Sequence, residues 1–253
     1  MAIKTHMDSL VPSRDRYKKE ITLLSHGYYA KTALPDGKIT VFPWDSRIDE
    51  ELLAQSRNQA SKVGVLFRLL PKLCNLNGCP LDSMLVGDAM TILYVSRSFR
   101  TNCTVVVKTV NKAGKSVSID VSIPDQLTRV GEKSADYAGY DEITLPTTKD
   151  VVRIRPLSIG DEVKIEDVTD KDDAIPAGIL RAIVPIISVG GGAPESVNEL
   201  VEYWDALPVS DQVFIQEQED LLSPHLSNIV TVVDDKTGEE LSFELSLDKE
   251  FFR

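Results

Sequence analysis

The sequence predicts an α+β fold, and three observations carry that expectation. Two segments alternate apolar and polar residues around a glycine, as half-buried hairpins do; they read NKAGKSVSIDVSI over 111–123 and DKTGEELSFELSL over 235–247. Longer segments instead repeat apolar residues with the period of an amphipathic helix. Strands and helices do not alternate as βαβ units require, so a parallel, doubly wound sheet is not expected.

Taken in order, the first twenty residues carry five basic and three acidic side chains and no apolar run. This predicts an N-terminal arm over 1–24 rather than a secretory signal. Residues 34–50, LPDGKITVFPWDSRIDE, read as a turn, a short β-branched strand, a proline and an acidic helix start. Asp49 and Glu50 sit where the helix dipole favours acids. Leu52, Leu53, Val63, Leu66, Leu69 and Leu70 extend that helix until Pro71 breaks it. A second helix is expected from Pro80 to Arg100, with Leu81, Leu85, Ile92, Val95 and Phe99 on one side. Strand Thr104–Val110 then leads into the first hairpin, where Gly114 suits the positive φ of a tight loop.

Residues 145–162, LPTTKDVVRIRPLSIGDE, repeat the order of 34–50. Ile175–Val189 is apolar, but Pro176 and Pro185 restrict helix to its middle. Pro194 opens a helix with Val197, Leu200, Val201, Trp204 and Leu207 on one stripe, and Ser210 is expected to cap another that ends near Leu222. Strand Ile229–Val233 leads into the second hairpin. At an offset of 124 residues, Lys112 and Gly114 match Lys236 and Gly238. Val117, Ile119, Val121 and Ile123 then run opposite Leu241, Phe243, Leu245 and Leu247. The two echoes in the same order predict an internal pseudo-repeat: two related modules of helices plus β-hairpins, over 25–130 and 131–253.

The chain has 253 residues, 42% of them hydrophobic and 26% charged, with net charge -11 and a pI near 4.8. That charge argues against nucleic acid as partner, because phosphate binding needs a basic face. No apolar run is long enough to span a bilayer, so no membrane partner is expected either. Cys74, Cys79 and Cys103 are too few and too odd in number for a disulfide framework, which points to a reducing compartment.

Side chains able to do chemistry are sparse. Gly190-Gly191-Gly192 lacks the Gly-Lys-Ser/Thr of a phosphate loop and reads as a flexible interhelical loop. The cysteines and the scattered His6, His26 and His225 do not form the close pairs of a zinc site. No nucleophile elbow or His-Glu-x-x-His is present. Asp88, among apolar neighbours with Arg97 and Arg100 further along, is either a catalytic carboxylate or a structural, hydrogen-bonded one. No second acid or base stands beside it, which favours the structural role. No catalytic, cofactor-binding or metal-binding residue is assigned. The acids are more telling: no lysine or arginine lies between Arg181 and Lys236, while Glu195, Glu199, Glu202, Asp205, Asp211, Glu217, Glu219 and Asp220 do. Asp161, Glu162, Glu166, Asp167, Asp170, Asp172 and Asp173 add to them. Such a stretch is a solvated helical face or a docking surface for a basic partner.

With these segments laid out, the chain resembles the baseplate family of T-even-type contractile phages, the group that includes the baseplate hub subunit and the hub assembly protein. The resemblance runs through Leu24-Ser25-His26-Gly27-Tyr28-Tyr29, Pro35 to Pro43, and Asp49-Glu50-Glu51-Leu52-Leu53. Its sharpest match is Leu81-Asp82-Ser83-Met84-Leu85-Val86-Gly87-Asp88, followed by Leu93 and Arg97. The C-terminal Leu245-Ser246-Leu247-Asp248-Lys249-Glu250-Phe251-Phe252 resembles the family's terminal strand and aromatic pair. Relatives in that family often carry Cys-x-x-Cys at zinc-ribbon-like hairpin tips. The tips here, Val110 to Gly114 and Asp234 to Gly238, lack zinc ligands, so packing must hold the hairpins.

The resemblance implies a non-enzymatic component of the tail baseplate hub, assembled in the host cytoplasm and carried in the virion. Its partners would be other hub or wedge proteins and the tape measure protein. Candidate contact residues are Tyr28, Tyr29, Phe251 and Phe252, as aromatic anchors or as core, and Glu195, Glu199, Glu202 and Asp205 on the acidic face. Two alternatives stay open: a transient assembly chaperone that leaves the finished particle, and a metal-dependent hydrolase.

Overall fold

The computed structural model describes residues 17–56, 67–99, 104–110, 114, 116–122, 125, 127–171, 175–227, 229–233, 238 and 240–244. Its sheets are small and antiparallel, four of two strands and one of three among the described residues, and helices pack between them. This is the expected α+β class.

Strand β1 (Lys19–Thr22) pairs with β2 (Lys38–Val41), placing Ile21 opposite Ile39. Alternation along β2 buries Ile39 and Val41. Helix α1 (Ser46–Ser56) begins where the Asp45 carboxylate accepts from the backbone N–H groups of Arg47 at 3.0 Å and Ile48 at 3.2 Å. Such a cap satisfies donors that the first helical turn leaves open. A short helix α2 (Leu70–Leu73) follows. Helix α3 (Val86–Ser98) is central: ten of its residues are buried, from Asp88 to Ser98. Its Ala89, Ile92, Leu93 and Val95 enter the first core with Leu23, Leu34, Trp44, Phe67 and Leu73.

The first hairpin joins β3 (Thr104–Val110) to β4 (Ser116–Ser122), and Gly114 at its tip has φ 74°. Strand β5 (Arg129–Val130) pairs far along the chain. Strands β6 (Asp141–Thr144) and β7 (Val151–Ile154) precede helix α4 (Ile159–Lys171) and helix α5 (Ala177–Ile183). Strand β8 (Ile186–Val189) then completes the sheet β6-β7-β8. Helices α6 (Val197–Ala206) and α7 (Val209–Leu222) cover it, and Val152, Ile154, Ile183, Ile186, Trp204 and Ile215 form the second core. Strand β9 (His225–Leu226) returns to β5. The last hairpin joins β10 (Ile229–Val233) to β11 (Glu240–Glu244), with Gly238 at φ 69°. A third core of Leu24, Tyr94, Val121, Leu127, Leu226 and Val230 gathers both hairpins against α3.

Both hairpins therefore form where the alternation places them, and β2 and β7 share one burial pattern before a capped helix. Their sheets differ: β2 pairs with β1 in a two-stranded sheet, whereas β7 lies between two neighbours. The division at 24/25 and 130/131 does not follow the cores. Leu23 and Leu24 are fully interior, Ile159 belongs to the first core, and β5 pairs with β9 across the expected boundary. Backbone pairing at a distance, which local pattern does not encode, explains the difference.

Several helix limits also move. Residues 57–66 of the first expected helix lie outside the described residues; Phe67 and Arg68 are helical, the run breaks at Leu69, and Pro71 then sits in the first turn of α2, where its missing N–H costs nothing. The helix expected from Pro80 is split: Leu81–Ser83 makes one 3-10 turn, Leu85 is extended, and α3 starts at Val86. The cause is strand-like pairing of this stretch with 157–159: Val86 N–H donates to the Leu157 carbonyl at 2.9 Å and Ile159 N–H to that of Met84 at 2.8 Å. Pro208, not Ser210, precedes α7. Gly190–Gly192 forms a turn closed by Val189–Gly192 backbone bonds of 2.9 and 3.0 Å, between β8 and α6 and not between helices. No helix among the described residues is long and apolar enough to cross a membrane.

Candidate interaction surface

Two segments distant in sequence, 24–29 and 81–88, meet at the centre of the molecule. Asp88 is completely buried in the first turn of α3. Its Oδ2 accepts from the Tyr29 hydroxyl at 2.9 Å and from the Ser25 hydroxyl, and Oδ1 from the Ser25 N–H at 3.4 Å. The Ser25 oxygen in turn accepts from Gly27 N–H at 3.0 Å. Burial pushes the Asp88 carboxyl up to about 6, against the Ser25 and Tyr29 hydrogen bonds that hold it down. Burial and the Asp88 charge raise the Tyr29 hydroxyl well above the usual tyrosine range. Sealed from solvent and bonded to its own chain, Asp88 holds the 25–29 turn on α3.

The same helix end is clamped from the other side. A Cβ on Gly87 would lie 1.8 Å from the Pro224 carbonyl oxygen, and one on Gly131 2.3 Å from that of Ser223. Only glycine lets α3 and β5 approach the chain entering β9 so closely.

Tyr28 and Tyr29 line this junction, each half-buried. Their rings meet edge to face at 5.6 Å, and Tyr28 meets Tyr137 at 4.8 Å. The Tyr137 hydroxyl donates to Asp141 at 2.6 Å, and Lys133 Nζ, 4.6 Å from the Tyr137 ring centre, donates to the same carboxylate at 2.8 Å. Such aromatic and ionic contacts join the halves of the chain. Phe251 and Phe252 lie outside the described residues.

The acids divide into two kinds. Asp161 and Glu162 are buried and spent in ion pairs: Arg155 binds Asp161 through two nitrogens at 2.6 and 2.9 Å, and Arg181 binds Glu162 at 2.9 and 3.0 Å. Burial raises the Asp161 carboxyl, but bonds from Arg155 and Ser158 outweigh it and hold the group below the usual range. Asp211 is also buried, accepting from Thr147 N–H at 2.8 Å and Thr148 N–H at 2.9 Å. These three leave the expected acidic face. Glu195, Glu199, Glu202 and Asp205 stay on it: all are exposed, the last three along α6. Glu199 also shapes the helix start, its carboxylate accepting from Glu195 N–H at 2.7 Å and its own N–H donating to Ser196.

Helix α7 adds what the sequence pattern did not single out. Val209 and Val213, one turn apart, are 72% and 44% exposed, and Leu221 is 60% exposed. Glu217 and Asp220 are exposed on the same helix. On β10, Ile229 and Val233 face solvent with Thr231 between them. Apolar residues off the buried stripe Asp211–Ile215 are the signal that would have marked them.

At the end of α7 the surface sinks into a groove of about 270 Å3. Val86, Met90 and Tyr94 of α3 and Leu157 form its apolar walls, and Asp220 and His225 its polar rim. The His225 Nδ1 lies 2.9 Å from the Ser223 carbonyl, which can only accept, so Nδ1 is the donor of this contact. One further acid is unusual. Glu219 has a buried Oε1 with no hydrogen-bond partner, and burial, then the neighbouring Asp220, pushes its carboxyl up to about 9.

The remaining candidates stay inert in this arrangement. Cys74 and Cys79 are buried free thiols, and Cys74 donates to the Leu70 carbonyl at 3.2 Å. Burial raises Cys74 to about 12, far from a reactive thiolate. Cys103 and the residues flanking Gly114 and Gly238 at the hairpin tips lie outside the described residues. Among the described residues no cluster of His, Cys, Asp and Glu is arranged to hold a metal. No family profile, curated protein or solved structure matches this chain.

Proposed function

We propose that this chain is a protein–protein adaptor that forms part of, or helps to build, the baseplate hub of a contractile phage tail. One observation carries the adaptor role: pairs of apolar side chains, Val209 with Val213 and Ile229 with Val233, face outward beside carboxylates. Paired outward apolar residues cost solubility unless a partner covers them. The placement in a tail rests on the resemblance, which begins at 24–29 and is sharpest at 81–88, the segments joined through Asp88. In this role the chain presents its hairpins and the α6–α7 carboxylates to neighbouring hub or wedge proteins.

Deleting the gene from a phage that carries it tests the reading. The expected result is tails without functional baseplates, restored by supplying the chain. Normal, infectious tails in its absence would overturn the proposal. Mass spectrometry of purified particles then separates a resident hub protein from a transient assembly factor.

A further inference from the structure

We infer that the groove between α3, Leu157 and β9 is a docking site for a partner segment that carries one bulky apolar side chain flanked by lysine or arginine. This deepens the adaptor reading and rests on it. The volume, about 270 Å3, falls below the roughly 300–1,000 Å3 of sites for small molecules and suits a side chain of another protein. The walls are apolar and fixed in advance. Val86 N–H is bonded to the Leu157 carbonyl at 2.9 Å, and Gly87 brings α3 against Pro224. Preformed walls spare an incoming segment the entropy of ordering them.

The rim decides the sign of the ligand. Asp220 supplies its carboxylate, an acceptor that asks for donors, and stands there with His225. The exposed Glu217 lies one turn before Asp220, and no lysine or arginine occurs from 182 to 235. The cations beside the groove are engaged elsewhere: Arg129, opposite Leu226, donates to Glu132, and Arg155 to Asp161. A basic segment is therefore steered to the groove, and its apolar residue enters it. A second copy of the chain, at net charge -11, brings the opposite charge to the one required.

The test is an NMR titration of the full, 15N-labelled chain with acetyl-Lys-Lys-Leu-Phe-Lys-Lys-amide and its all-glutamate counterpart. The lysine peptide is expected to shift the amides of Met90, Tyr94, Leu157 and His225 saturably, and the glutamate peptide to leave them in place. Asp220→Lys should weaken the lysine peptide by about tenfold, because the rim charge reverses. Leu157→Glu should abolish entry, and its amide spectrum shows whether the fold is kept. Shifts confined to Glu199 and Glu202, or an Asp220→Lys chain that binds as wild type, would overturn the groove as a site. The adaptor reading fails separately, if tails assemble normally without the chain.

Discussion

The Tyr29 hydroxyl donates to Asp88 Oδ2 at 2.9 Å across 59 residues of sequence, and through it a turn near the N-terminus is fixed to the central helix. Every donor on this carboxyl is a neutral hydroxyl or amide of residues 24–29. Asp88→Ala therefore strands these donors in the core. At pH 5, where Asp88 is mostly uncharged, a urea titration should show a loss of about 2–4 kcal/mol.

The same carboxyl sets a pH dependence with a definite sign. Its folded value, about 6, lies above the ordinary 3.8, so the folded chain holds the proton more tightly. Its contribution to stability is full below about pH 4 and is lost as pH rises through about 6. Asp88→Asn should flatten this part of the profile between those limits, as thermal melting across the range will show.

Glu219 behaves in the same direction over a wider window. Its carboxyl, raised from 4.5 to about 9, costs stability as it ionises towards high pH. Glu219→Gln keeps the shape and removes the charge. It should match wild type at pH 5 and melt higher at pH 9.

Gly87 and Gly178 make a matched pair of tests. Gly87→Ala drives a methyl group into the Pro224 carbonyl and should cost about 3 kcal/mol or more, measured by chemical unfolding. Gly178, with nothing within 4 Å of its Cβ position, lies in α5. There alanine should gain about 0.5–1 kcal/mol from helix propensity.

Local pattern made the hairpins and α6 legible, since each is defined by its own alternation or stripe. Long-range pairing hid the rest. Residues 84–86 look helical until 157–159 pair with them, and β5 and β9 are two residues each, too short to show any period. Tyr28 and Tyr29 could be read as anchors because an aromatic pair carries no mark of what packs on it. The apolar neighbours of Asp88 mark it as buried, but its partners Ser25 and Tyr29 lie about sixty residues earlier and carry no local sign of the contact. The groove was invisible in the sequence, because its walls come from α3, Leu157 and β9, which are far apart along the chain.

In the proposed role this chain acts through contact, with α7 among its docking elements, and quantitative mass spectrometry of tails assembled with Val209→Asp/Val213→Asp measures that contact. Both residues are solvent-facing, so each change should alter stability by only about 0.5 kcal/mol. The predicted result is a soluble, folded variant that is absent from assembly complexes. Incorporation at the wild-type level would show that α7 does not dock.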